Sequence, residues 1–130
     1  MKTLELTEEQ LEFCKQYAGL IETVSEALDY VVASFSDLEK TEGDVVLNDV
    51  IQAFVQIAQS HVSLEVLFQD DKEVASGIQS FSNVLNQLEP LEGKMDDLTL
   101  RSDIITNGVA PAYRIWSSDM LSKLKAYISV

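Results

Sequence analysis

An apolar heptad runs through residues 14–38 at Cys14, Tyr17, Ile21, Val24, Leu28, Val31, Phe35 and Leu38. Alternating steps of three and four place all eight side chains on one stripe of an α-helix, and no strand can use that spacing. Neither a charge nor a proline interrupts it. Glu12, just before it, and Glu22, Glu26 and Asp29 between its members lie on the opposite side of the helix. Such an element is amphipathic and folds only against partners. Leu11, Ala18 and Val32 on one flank, with Phe13, Leu20 and Ala27 on the other, widen the stripe beyond a two-stranded coiled-coil seam to the breadth a globular bundle needs.

The breakers divide the remaining chain. Thr7-Glu8-Glu9-Gln10 has the form of a capping box, so the first helix is predicted over about residues 8–39. Gly19 lies inside it, but the heptad keeps its phase across that residue, which predicts a locally weakened helix instead of a stop. Thr41-Glu42-Gly43-Asp44 then offers a terminating glycine and a fresh cap. The second helix is predicted over 45–68 with a seam of Leu47, Val50, Phe54, Ile57, His61, Leu64 and Phe68. Asp70-Asp71 can cap a third over 71–89, seamed by Val74, Ile78, Phe81, Leu85 and Leu88 and closed by Pro90 and Gly93. A fourth, over 98–128, carries Ile105, Val109, Ala112, Trp116, Met120, Leu124 and Tyr127. Asn107-Gly108 and Pro111 interrupt its interior while the apolar phase continues, which predicts a helix kinked near 107–111, with a break there as the alternative. Short connections favour antiparallel neighbours. The expectation is one all-α domain over residues 1–130, an up-down-up-down four-helix bundle.

The second helix is apolar on two faces. Beside its seam runs a row of Ile51, Val55, Ala58 and Val62, spaced 4, 3 and 4. No helix of a four-helix bundle is fully central, so this row is the leading candidate for a partner-binding face, with coverage by neighbouring helices as the alternative. Tyr113 and Trp116 on the fourth helix, together with Tyr127 and the intervening Arg114, join it as candidates for a recognition groove, since aromatic and arginine side chains dominate binding hot spots. Aromatics at helical spacing otherwise serve as core.

The chemical inventory is thin. His61 is the sole histidine and occupies an apolar seam position, which favours a core residue hydrogen-bonded to a neighbour over a general base. Cys14 is the sole cysteine, so an internal disulfide is excluded, and its seam position makes it a small buried hydrophobe suited to a reducing cytosol. Di-iron bundles need Glu-x-x-His pairs, and residue 58 is alanine. Zinc, calcium-loop and phosphate-loop motifs are absent, so no catalytic residue, metal or cofactor is expected.

Net charge is −13, distributed unevenly: residues 1–69 hold 13 acids against Lys2, Lys15 and Lys40, whereas residues 101–130 hold Asp103 and Asp119 against Arg101, Arg114, Lys123 and Lys125. The two ends should attract each other. The balance disfavours nucleic acid and anionic membranes as partners. The chain has no apolar run of ~20 residues and its start lacks the order of a signal peptide, so a cytoplasmic protein is expected.

Residues 17–35 and the run Val109-Ala110-Pro111-Ala112-Tyr113-Arg114-Ile115-Trp116 resemble the small acidic all-helical proteins of unknown function found in Gram-positive bacteria. The resemblance implies a cytoplasmic bundle and supplies no activity. In size and acidity the chain is also similar to flagellar and secretion export chaperones, helical proteins that bind a client helix. The resulting expectation is a non-enzymatic interaction protein that binds a protein partner or itself through an apolar helix face. The alternatives are an acidic inhibitor or regulator of a basic protein, and a small-ligand binder or enzyme centred on His61.

Overall fold

The computed structural model describes residues 5–37 and 42–128. They form an all-α four-helix bundle built from α1 (Glu8–Ser34), α2 (Gly43–Leu67), a third rod of α3 (Lys72–Ser80) and α4 (Ser82–Leu88), and a fourth of α5 (Leu98–Ile104) and α6 (Ala110–Ile128). Successive rods run antiparallel. Tyr17 meets His61 between the first two, Phe54 and His61 meet Phe81 between the second and third, and Trp116 meets Gly77 between the third and fourth. Tyr113 Oη donates to Ile21 O (2.7 Å), closing the ring between the fourth rod and the first. Among the described residues, no helix is long and apolar enough to cross a membrane.

The first helix begins as its sequence dictates. Gln10 N–H donates to Thr7 Oγ1 (3.1 Å) and Thr7 N–H to Gln10 Oε1 (2.9 Å), a complete capping box. Cys14, Tyr17, Ile21, Val24, Leu28 and Val31 are all buried, and α1 passes through Gly19 without interruption. It ends earlier than the predicted residue 39. Phe35 and Ser36 N–H groups reach back only three residues, to Val32 O and Ala33 O, and Ser34 Oγ donates to Val31 O (2.5 Å). Serine hydroxyls that take up backbone carbonyls compete with the helical ladder, and here the helix closes on them. Leu38, the expected end near 39 and Thr41 lie outside the described residues.

Gly43 is not a terminator of α1. It is the first residue of α2, and a Cβ there would sit 2.7 Å from Ser34 Cβ, so its missing side chain lets the start of one helix approach the end of the other. Asp44, expected as a cap, lies in the first turn and receives Arg101 (2.7 Å) from the fourth rod. The whole α2 seam from Leu47 to Phe68 is buried, with Phe68 as the residue after the last turn.

Asp71 caps α3, accepting from the N–H groups of Glu73 and Val74. The third rod then breaks at Phe81, whose N–H bonds Ile78 O (3.3 Å), three residues back. The Gly77 carbonyl accepts instead from Trp116 Nε1 (2.7 Å) and Ser80 Oγ (3.0 Å). A side chain inserted into the ladder is a known cause of helix bending. The break shifts the buried stripe: Val84 is fully buried, whereas Leu85 and Leu88, which continue the expected seam, are half-buried. A 3₁₀ turn through Pro90 and a left-handed Gly93 (φ 73°) end the rod.

The irregularity expected near 107–111 is a π-turn at Ile105–Val109 that joins α5 to α6 without a break. Pro111 has no N–H to offer residue 107, and its ring crowds the preceding turn. Widening that turn lets the Ala110 N–H reach Ile105 O, five residues back, while the apolar face stays in phase: Ile105, Val109, Trp116, Met120 and Leu124 are all buried. The predicted attraction between the acidic and basic ends takes the form of Arg101 on Asp44 and Arg114 on Asp29 (3.3 Å).

Candidate functional site

Two places on this scaffold gather the residues singled out from the sequence. One is the outer face of α2. Because the seam of that helix is turned inward, the adjoining row faces away from the bundle, and Val55 and Val62 are 53% and 69% exposed. Ile51 and Ala58, at the row's inner margin, are half-buried against the core. Among the described residues, neighbouring helices therefore leave Val55 and Val62 uncovered and only partly cover Ile51 and Ala58. Val66, also 69% exposed, extends it by one further turn. Sequence reasoning missed Val66, although the step of four from Val62 signals it.

Val66 also lines a shallow open groove of about 320 Å³ together with Phe13, Leu67, Ser63, Glu9 and Gln10. The groove runs between the start of α1 and the end of α2, so the apolar surface of α2 continues onto α1. The other exposed large apolar residues among those described are Val45 in the first turn of α2, Leu98 and Ile115, none of them a member of the row. Isolated apolar side chains are ordinary on protein surfaces, whereas a row along one helix is not.

Tyr113 and Trp116 do not belong to this face. They are 0% and 4% exposed and their polar atoms are spent on interior carbonyls, Ile21 O and Gly77 O. Tyr113 stacks on Phe54 and Trp116 packs on Phe81, so neither can reach a partner while the fold is intact. Both are core residues and not, as expected of a recognition groove, part of a partner-binding surface. Tyr127 is half-buried and donates to Asp71, tying the end of the fourth rod to the cap of the third.

The second place is the interior around His61. The ring is 7% exposed and is bordered edge-on by Tyr17, Phe81 and Trp116 at centroid distances of 5.6, 5.2 and 5.9 Å. Tyr17 Oη lies 2.6 Å from His61 Nε2. A neutral imidazole makes this hydrogen bond in either tautomer, accepting from the hydroxyl or donating to it. Burial pushes the His61 pKa down to about 4 and pushes the Tyr17 phenol well above its ordinary value. Burial likewise raises the Tyr113 phenol, offset in part by a hydrogen bond with Ser25, and raises the Cys14 thiol. A thiol held protonated is a poor nucleophile. Each of these groups is neutral and satisfied by packing or a single bond, which suits a core. Among the described residues no group of three or more His, Cys, Asp or Glu side chains is placed to hold a metal ion.

The acidic face of α1 is where the sequence put it. Glu22, Glu26 and Asp29 are exposed, and Asp29 receives Arg114.

No solved structure matches the chain. A similar curated protein is "Uncharacterized protein YvzG" of Bacillus subtilis (strain 168), 29% identical over 75 residues. That match covers 58% of this chain and 59% of the relative, so it spans about three fifths of the relative's length. The relative's source agrees with the resemblance to proteins of Gram-positive bacteria. With residues 12–119 matching its family model, from the second turn of α1 into α6, the chain belongs to the family described as Domain of unknown function (DUF8042).

Proposed function

We propose that the chain is a non-enzymatic, cytoplasmic interaction protein that packs the outer face of α2 against an apolar helix face of another polypeptide. The observation that carries this reading is the uncovered row of Val55, Val62 and Val66 on a helix whose other face already fills the core. Apolar rows of this kind, presented at helical spacing, are the usual substrate of helix-in-groove recognition. The groove between Phe13 and Leu67 extends the same surface and supplies a recess for a larger side chain. His61 and the buried tyrosines support the reading from inside, since they brace the face and offer no opening for a small substrate.

Replacing Val55 and Val62 together by glutamate tests it. Both side chains are exposed, so helical circular dichroism should be unchanged, whereas association should weaken by about 100-fold, because the apolar contact is replaced by charges on its face. Association of unchanged strength in the double variant, whether with itself or with a protein retained from native lysate, would refute the reading.

A further inference from the structure

The four large apolar residues of the outer α2 row are placed symmetrically about its middle. Ile51 and Val55 lie as far before the midpoint between Ala58 and Gln59 as Val66 and Val62 lie after it. A helix that pairs with a copy of itself about a two-fold axis needs this pattern, because residue i must meet j while j meets i. Antiparallel pairing through that midpoint sets Val55 against Val62 twice and Ile51 against Val66 twice. It also brings the two Gln59 amides, exposed at the centre, beside one another. A carboxamide both donates and accepts, so it is complementary to its own copy.

Charge points to the same occupant. The chain carries −13, and like-charged molecules repel. Yet residues 50–64 contain no Asp, Glu, Lys or Arg, and His61 among them is neutral. The exposed positions on these four turns are Gln, Val and Ser. This is the surface on which two acidic copies approach at least electrostatic cost. Glu65, at its edge, lies at opposite ends of the contact in the antiparallel register; a parallel register would bring the two Glu65 carboxylates to one level.

We propose that the polypeptide received by α2 is a second copy of this chain, in an antiparallel α2–α2 dimer centred between Ala58 and Gln59. The inference rests on the interaction reading above and specifies its partner. A contact made by one helix is at the small end of specific interfaces, so the dimer dissociates on dilution.

Sedimentation equilibrium over a range of concentrations tests it with a charge-swap pair. Val55→Glu with Val62→Glu places like charges face to face twice and should weaken the dimer by about 100-fold, roughly tenfold for each facing pair. Val55→Glu with Val62→Lys in one chain places opposite charges face to face twice and should hold dimerisation within about tenfold of wild type. In a parallel register both variants would dissociate alike, and that outcome would overturn the proposed geometry. As an independent check, Gln59→Cys should form a disulfide-linked dimer on mild oxidation, whereas Gln52→Cys, far from the axis, should not; the reverse result would also overturn the register. Wild-type protein that stays monomeric at its highest soluble concentration would overturn the dimer itself. The broader interaction reading would then stand or fall separately, on whether the double glutamate variant loses a protein retained by wild type.

Discussion

At the scale of single residues, the Tyr17–His61 pair sets the pH response of the core. The histidine pKa lies near 4 in the fold and near its ordinary 6.5 in the unfolded chain, because burial disfavours the charged ring. Between those values the unfolded state binds the extra proton. The contribution to stability is therefore complete above about pH 6.5 and declines as pH falls through 4, by about 3 kcal/mol in full. Acidification also lowers the net negative charge, so the histidine effect is best isolated by comparison. A variant with Tyr17→Phe and His61→Leu removes donor and acceptor together, which leaves no unpaired polar atom. Urea unfolding at pH 7 and at pH 4.5 should show wild type losing more stability than this variant on acidification; equal losses would mean that the ring takes up its proton without unfolding the core. His61→Leu alone is a poorer test, since it strands the Tyr17 hydroxyl. The identity of this pair was only half legible in the sequence. His61 stood on an apolar seam and so was readable as buried, but its partner is 44 residues away and became visible only when α1 and α2 were set antiparallel.

At the scale of the helix, identical substitutions at two glycines should have opposite effects. Gly19 sits on the exposed side of α1, and a Cβ there meets nothing within 4 Å. Gly19→Ala should therefore stabilise the protein by about 0.5–1 kcal/mol through reduced backbone entropy of the unfolded chain and better helix propensity. Gly77 is buried where Trp116 crosses the third rod, and its Cβ would approach Met120 Sδ to 2.6 Å. Gly77→Ala should cost about 1–3 kcal/mol by overpacking that crossing. Thermal melts of the two variants, followed through the single tryptophan, should move in opposite directions; a shift of the same sign would show that the crossing is looser than its distances imply. Element existence was readable because the seams of α1 and α2 and the capping signals at Thr7 and Asp71 agree with one another. The failures have tertiary causes. The break at Phe81 depends on Trp116 reaching Gly77 O from another helix, and Gly43, which has the form of a stop signal, serves instead to bring α2 close to Ser34.

At the scale of the whole molecule, the charge distribution separates the two ways in which this protein could meet a partner. Val55 and Val62 were legible as a face because they fall at helical spacing beside the seam, whereas Tyr113 and Trp116 share the chemistry of hot spots and of cores, and only burial distinguishes the two. The acids are concentrated elsewhere, on surfaces such as the Glu22 and Glu26 side of α1, and the outer α2 face is free of them over residues 50–64. Association through that neutral face is opposed by the long-range repulsion of two chains at −13 each, and salt screens this repulsion. Raising ionic strength from about 0.01 M to about 0.1 M shortens the screening length from about 30 Å to about 10 Å, less than the span of the bundle. Self-association should therefore tighten with added salt, by severalfold, because the repulsion weakens while the apolar contact does not. Docking of the acidic α1 face onto a basic protein would respond in the opposite sense, since salt then screens an attraction. Measuring the dimer dissociation constant at several sodium chloride concentrations tests the neutral face directly. A constant that rises with salt would mean that opposite charges of the two copies attract across the contact, and would remove the neutral valine row as the interface.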